Sequence, residues 1–247
     1  MNFSNRNNNF IDYEKLCPID PIKKVNVPEK MYRFIGARFL DDLMVDGRLQ
    51  IKHLGAYCES ELGNRADYHE GKSSGLMANG KNNIYTVIAM DAYILCLSRH
   101  PYKHLAHKFS DDNKPAVCVE IANPGTFIEK LDRTVRAHFK EKSIVVNASV
   151  SDEVAYYSPK HISEKDLNPY SLPVAMRKPL GRVGEPFYYA EETEYRILWD
   201  MGNRAGLRNP ILVESKELVS HLRVVPEDEL LELKTGDAID YRILHSK

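Results

Sequence analysis

No excess of charge of either sign marks this chain: 34 lysines and arginines stand against 35 aspartates and glutamates in 247 residues. So even a balance creates no global field that would draw nucleic acid or an anionic membrane, and any such binding has to come from a local patch. Cysteine is sparse. Cys17, Cys58, Cys96 and Cys118 form no C-x-x-C pair, which argues against a zinc cage and against a disulfide framework. Cys96 and Cys118 lie inside the apolar runs "YILCLS" and "AVCVEI" and read as reduced, buried small hydrophobes. No apolar run reaches membrane-spanning length, and the opening "MNFSNRNNNF" lacks the apolar centre of a signal peptide. The expectation is a cytoplasmic protein with no membrane partner.

What is present is ordinary globular material, with hydrophobic residues at 43% and charged residues at 28%, in a chain long enough to bury a core without staples. Residues 1–27 read as a flexible or extended arm, first Asn-rich and then broken by prolines in "CPIDPIKKVNVPEK". Residues 28–247 read as one domain. Strand-type runs are "KMYRFIG", "RLQIKHLG", "IYTVIAM", "AYILCLS", "PAVCVEI", "SIVVNASV", "DEVAYY" and "PFYYAEETEYRILW". In "ARFLDDLMVDG", Phe39, Leu40, Leu43 and Met44 recur at helical spacing and Gly47 supplies the stop. A second helix is expected in "PYKHLAHKF", with Pro101 in its first turn. The best-signalled helix starts at Asn123 as cap and Pro124, and places Phe127, Ile128, Leu131, Val135 and Phe139 along one side. "SKELVSHL" and "PEDELLEL" read as short capped helices. Because strands outnumber helices and do not alternate with them, the expected fold is a single α+β domain. Its sheet is mixed and mainly antiparallel, flanked by short helices.

Several stretches carry candidate chemistry. The polar, Gly/Asn-rich segment from Glu59 to Asn83 is long for a connector and reads as a lid or binding loop. Within it "GLMANGKN" approximates a phosphate-binding G-x-x-x-x-G-K-[ST] loop, but Asn82 replaces the hydroxyl that would meet magnesium, so a flexible loop is the better reading. "RHPYKHLAHK" gathers His100, His104 and His107 with Arg99, Lys103 and Lys108. No nearby carboxylate or cysteine completes a metal set, which leaves a polar helix face or a phosphate receiver. Arg33, between Met31 and Ile35 on one strand face, needs a carboxylate or a phosphate if it is buried. Ser98 ends a strand, where its hydroxyl either binds a ligand or caps the next helix.

The most unusual stretch is "FYYAEETEYRILWD", residues 187–200. Strand alternation puts Tyr195, Ile197 and Trp199 on an apolar face and Glu192, Glu194 and Arg196 on the other. Two carboxylates about 6.5 Å apart along a strand raise each other's proton affinity unless a cation intervenes, and Arg196 is placed to supply it. Such a pair suits stabilisation of an oxocarbenium-like sugar cation, or a hard metal ion, or it forms a solvated charge ladder.

Taken in order, an arginine on the first core strand, a serine ending a middle strand and E-x-E on a late strand resemble the R-S-E arrangement of ADP-ribosyltransferases. That resemblance implies NAD as substrate. Arg33 would hold its phosphates or ribose, Ser98 would support the NAD-binding core, and Glu194 would stabilise the nicotinamide ribose cation. Glu192 would orient or deprotonate the acceptor, a protein or a nucleic acid. No S-T-S follows the middle strand, only "CLSR". Over residues 31–225 the chain also resembles the bacterial DUF2971 group of uncharacterised proteins. The shared signals are Cys96, Leu97 and Ser98, then His107 and Phe109, Val154 and Tyr156, and Tyr189, Glu192, Glu194 and Arg196. On this likeness His107 and Arg196 join Arg33 and Ser98 as cofactor-binding candidates beside the catalytic pair Glu192 and Glu194. The setting it suggests is a toxin or a phage-defence effector. Two other readings stand beside it: an interaction or immunity protein that docks through an exposed acidic ladder, and a nucleic-acid-processing enzyme that uses the cluster from His100 to Lys108.

Overall fold

Runs in which every second side chain is apolar become strands once one face can be buried, and here both faces of the central strands are covered. The computed structural model describes residues 21–54, 56, 72–73, 87–88, 91–110, 114–157, 176–179, 189–202, 209–233 and 242–243. In chain order these form β1 (Lys23–Lys24), β2 (Lys30–Ile35), α1 (Leu40–Asp46), β3 (Arg48–His53), β4 (Lys72–Ser73), β5 (Val87–Ile88) and β6 (Ala92–Ser98). Next come α2 (Lys103–Lys108), β7 (Val117–Ala122), α3 (Pro124–Glu141), β8 (Ala148–Glu153), β9 (Ala155–Tyr157) and β10 (Arg177–Pro179). The last are β11 (Glu194–Asp200), β12 (Ile211–Glu214), α4 (Lys216–Val219), β13 (Leu222–Val224) and β14 (Arg242–Ile243). Most of the expected N-terminal arm, the glycine loop at 75–82, nearly all of the 59–83 segment, Cys17 and Cys58 lie outside the described residues.

A nine-stranded sheet in the order β1-β8-β11-β6-β2-β7-β13, with β3 and β12 branching from β6, carries the molecule. Its pairs are antiparallel except β1 with β8, so the α+β fold with a mixed, mainly antiparallel sheet is as expected. A smaller sheet, β10-β9-β14, is parallel throughout. No helix among the described residues is long and apolar enough to cross a membrane.

The alternation expected in β11 holds. Tyr195, Ile197 and Trp199 join Tyr93, Leu95 and Leu97 of β6 in the main core, together with Phe127, Ile128, Leu131, Val135 and Phe139 of α3. A hydrogen bond fixes the helix to the sheet: the Trp199 Nε1–H donates to Asp132 at 3.0 Å, and Arg136 donates to the other oxygen of the same carboxylate at 3.0 Å. Buried Asp132 thus has both oxygens satisfied. The opposite face of β6 and β11 packs Ile94 and Leu198 against Met176 and Leu54. The Cys118 thiol is buried beside Glu120, and desolvation pushes it up to about 12, in keeping with a structural cysteine.

Some boundaries differ from expectation. Asn123 does begin α3, but it adopts a left-handed conformation without a side-chain cap, and its carbonyl accepts from Thr126 and Phe127 instead. Pro101 precedes α2 rather than entering it, since Tyr102 is the cap residue. "PEDELLEL" yields a single 3-10 turn, Glu227–Glu229, because Leu231 leaves it to bond Pro101 and Lys103 across the molecule. The strand expected in "DEVAYY" is split between β8 and β9, which belong to different sheets.

Gly47 ends α1 as expected, with φ at 65°. A Cβ there would stand 2.1 Å from the Ser215 carbonyl oxygen, so the turn needs glycine for space as well as for backbone freedom. Gly47→Ala is therefore expected to cost more than the ~1–2 kcal/mol of a left-handed residue alone. It would be seen as a lower urea midpoint at unchanged slope, and an unaltered midpoint would contradict this packing of α1 on the segment before α4.

Candidate functional site

The site arises where the sheet forks. On one edge of β6, Tyr93 and Ile94 pair with His53 and Lys52 of β3, while Ser98 pairs with Tyr32 of β2. Between these contacts the two partner strands diverge. Arg33 spans the gap, donating from Nη1 to the Cys96 carbonyl at 3.4 Å and from Nη2 to the Gln50 carbonyl at 3.3 Å. Both of these acceptors are main-chain oxygens. A cavity of about 450 Å³ opens along the fork, walled by β2, β3 and the end of β6. Arg33, Ser98, Glu192 and Glu194 all line it, as do the apolar side chains of Phe34, Phe39, Leu49 and Leu212.

Three neighbouring strands set this arrangement. Glu194 opens β11 directly opposite Ser98 on β6, and Ser98 lies opposite Tyr32 on β2, next to Arg33. The Ser98 Oγ sits 2.7 Å from the His100 carbonyl and 2.8 Å from the Glu192 carbonyl, and it accepts from the His100 N–H at 3.2 Å. Ser98 therefore ties the end of its strand to the turn that carries Glu192, and does not cap α2.

Glu192 is not on the strand. It closes a 3-10 turn, Ala190–Glu192, and Thr193 then takes a left-handed conformation at φ 44° before β11 begins. The expected E-x-E-x-R ladder on one strand face is therefore corrected to a turn residue followed by a strand residue. The two carboxylates nevertheless converge, because both bond one cation. The Lys178 Nζ donates to Glu192 at 2.8 Å and to Glu194 at 3.2 Å. Lys108 of α2 pairs with the remaining Glu192 oxygen at 2.6 Å. Arg196 donates to the other Glu194 oxygen from Nε at 2.9 Å and from Nη2 at 2.7 Å. The cations run Lys108, Lys178, Arg196 with the carboxylates between them. Arg196 at 0%, Glu194 at 3%, Lys178 at 5% and Glu192 at 7% exposure are hidden from water, and Lys108 is half-buried. An exposed docking ladder does not describe these glutamates.

Burial alone would raise the Glu194 carboxyl, but the charges of Arg196 and Lys178, with hydrogen bonds from Cys96 and Arg196, hold it down at about 2. The Tyr156 hydroxyl oxygen accepts the Glu194 N–H at 3.0 Å, and burial followed by the negative charges of Glu194 and Glu192 pushes its ionisation far upward. Burial and the neighbouring Lys178 charge lower Lys108, against the pull of Glu192. The Tyr189 ring lies under both lysines, 4.9 Å from the Lys178 Nζ and 5.6 Å from that of Lys108.

Among the expected site residues, Arg33, Ser98, Glu192 and Glu194 share the cavity, and Arg196 stands behind Glu194 as its ion partner. His107 does not join them. It is exposed on α2, one residue before the lysine that turns inward. His104 faces Glu191 at 3.9 Å, and burial followed by the charge of Lys108 lowers it. Among the described residues no three His, Cys, Asp or Glu side chains converge as a metal cage requires. Lys108, Tyr156, Lys178 and Tyr189 complete the site as ion partners or supports beyond those anticipated.

The chain matches no family model, no curated protein and no solved structure. What the site can do is therefore argued from its own chemistry. A carboxylate kept ionised at the wall of a cavity can stabilise positive charge developing on a bound molecule. Arginine and a serine hydroxyl at the same wall can hold phosphate or sugar oxygens.

Because Glu194 binds its proton less tightly when folded than when unfolded, its ionisation favours folding. That contribution is complete above the unfolded carboxylate pKa of about 4.3 and is lost as pH falls from there through about 2. In a series of urea denaturations from pH 6 to pH 2, Glu194→Gln should flatten the acid fall in stability. A variant that loses stability with acid as steeply as the parent would contradict the ionised, ion-paired Glu194.

Proposed function

We propose that the protein is an ADP-ribosyltransferase-like enzyme that takes NAD into the forked-sheet cavity. The observation that carries this reading is the meeting of Arg33, Ser98 and Glu194 on one cavity wall from three adjacent strands. In this reading the bond between the nicotinamide nitrogen and ribose C1′ breaks, and its electron pair leaves with neutral nicotinamide. Positive charge then builds on the ribose, and Glu194 stabilises it across the cavity. A nucleophilic atom of the acceptor, or of water, bonds to C1′ and gives up its proton to solvent water. Arg33, whose guanidinium borders the cavity, contributes to holding the diphosphate, and Ser98 keeps the Glu192 turn in place. Glu192 borders the acceptor side, and its charge is offset by Lys108 and Lys178. The biological setting that goes with this, a toxin or a phage-defence effector, rests on the motif resemblance alone.

The test is incubation with labelled NAD and a cell lysate. Wild type should release nicotinamide or transfer label, and Glu194→Gln should lower turnover on the order of 10²–10³-fold, the range seen on removal of one charge-stabilising group, with NAD binding changed far less. Arg33→Ala should instead raise KM. Absence of NAD binding and turnover by folded wild type at saturating NAD would sink the reading.

A further inference from the structure

Resting on that reading, we infer that Lys178 is a positioning residue for the reaction: its single ammonium group holds the two carboxylates in one site and keeps Glu194 charged beside Glu192. Neither the cavity wall nor the motif resemblance includes it. Lys178 comes from β10, in the smaller parallel sheet, and reaches the first residue of β11 in the large one.

Electrostatics and geometry make it necessary. Glu192 and Glu194 are buried neighbours separated by one residue, and two such carboxylates without an intervening cation retain a proton between them. Among the described residues, the groups facing Glu194 include Arg196 on its own strand, Cys96 on β6, Tyr156 on β9, Lys178 on β10 and the Glu192 turn, which brings Lys108 of α2 and the Tyr189 ring with it. Of these, Arg196 bonds one oxygen of Glu194 and Lys108 bonds one oxygen of Glu192. Lys178 bonds both carboxylates, on the oxygens opposite those that Arg196 and Lys108 take. With a neutral residue there, the cation that bonds both glutamates is lost, while the Arg196 pair with Glu194 and the Lys108 pair with Glu192 remain. A proton on Glu194 would remove the negative charge that faces the ribose.

The experiment compares wild type, Lys178→Gln and Lys178→Arg. Lys178→Gln keeps hydrogen-bond donors and removes the charge, while Lys178→Arg keeps the charge. Two readouts are followed: Glu194 titration by carbon NMR on glutamate-labelled protein, and the pH profile of kcat/KM for NAD. In Lys178→Gln the Glu194 titration and the acid limb of kcat/KM should both move up by about one pH unit or more, and Lys178→Arg should return both toward wild type. In the wild-type protein, which needs no variant to fold, the Lys178 Nζ nitrogen resonance should report the Glu194 titration. A Glu194 titration unchanged in Lys178→Gln, or a wild-type Nζ resonance blind to it, overturns the inference. Wild type that shows the coupled titration but no NAD turnover leaves Lys178 as the clamp of an ion-paired site and removes the transferase reading instead.

Discussion

Two carboxylates buried side by side stay ionised only when cations are buried with them, and that constraint organises the functional end of this molecule. Lys108, Lys178 and Arg196 come from α2, β10 and β11, so the charge pattern joins a helix to the nine-stranded and three-stranded sheets. Burying so many charges is a poor way to gain stability. Desolvation offsets much of the attraction, and removing one partner from a buried pair typically costs about 3–5 kcal/mol because the other is left uncompensated. Apolar residues could have filled the same volume. A charged network kept at the wall of a cavity is thus better explained by what it presents to a ligand than by what it adds to folding.

The fork in the sheet supplies the space. If β2 and β3 both followed β6 along its length, main-chain bonds would close the edge and leave no room for a molecule. The strands part, and the guanidinium of Arg33 takes up main-chain oxygens on both sides of the gap. One residue therefore satisfies backbone that the missing ladder exposes and gives the cavity a positive charge. Opposite it, the turn ending at Thr193 sets Glu192 and Glu194 on two separate segments, which lets each carboxylate meet its own outer cation while they share Lys178.

Much of this was legible from residue patterns. Apolar runs of strand length located β6 and β7, period-two alternation located the apolar face of β11, and the spacing of Phe127, Leu131, Val135 and Phe139 located α3. An arginine between apolar neighbours, a serine ending a strand and the E-x-E-x-R run pointed to Arg33, Ser98 and Glu194. The turn at Thr193 was hidden because its left-handed backbone leaves no mark on the alternation of side chains. Lys178 was hidden because its importance comes from the pairing of β10 with β9, and nothing near it in the sequence has a period. Lys108 was within reach. Leu105 and Ala106 are the buried residues of α2, and Lys108 lies three positions after Leu105 on the same side, whereas His107 points out. Reading the helix by its apolar side rather than by its histidines would have chosen the lysine.

The proposed NAD reaction depends on where the sugar next to nicotinamide lies. A crystal structure with a carbocyclic NAD analogue, whose link to nicotinamide resists cleavage, measures that directly. The expected result is the analogue's five-membered ring within hydrogen-bond distance of Glu194, with its diphosphate toward Arg33. An analogue bound away from the forked-sheet cavity, or a cavity still empty at saturating analogue, would contradict it.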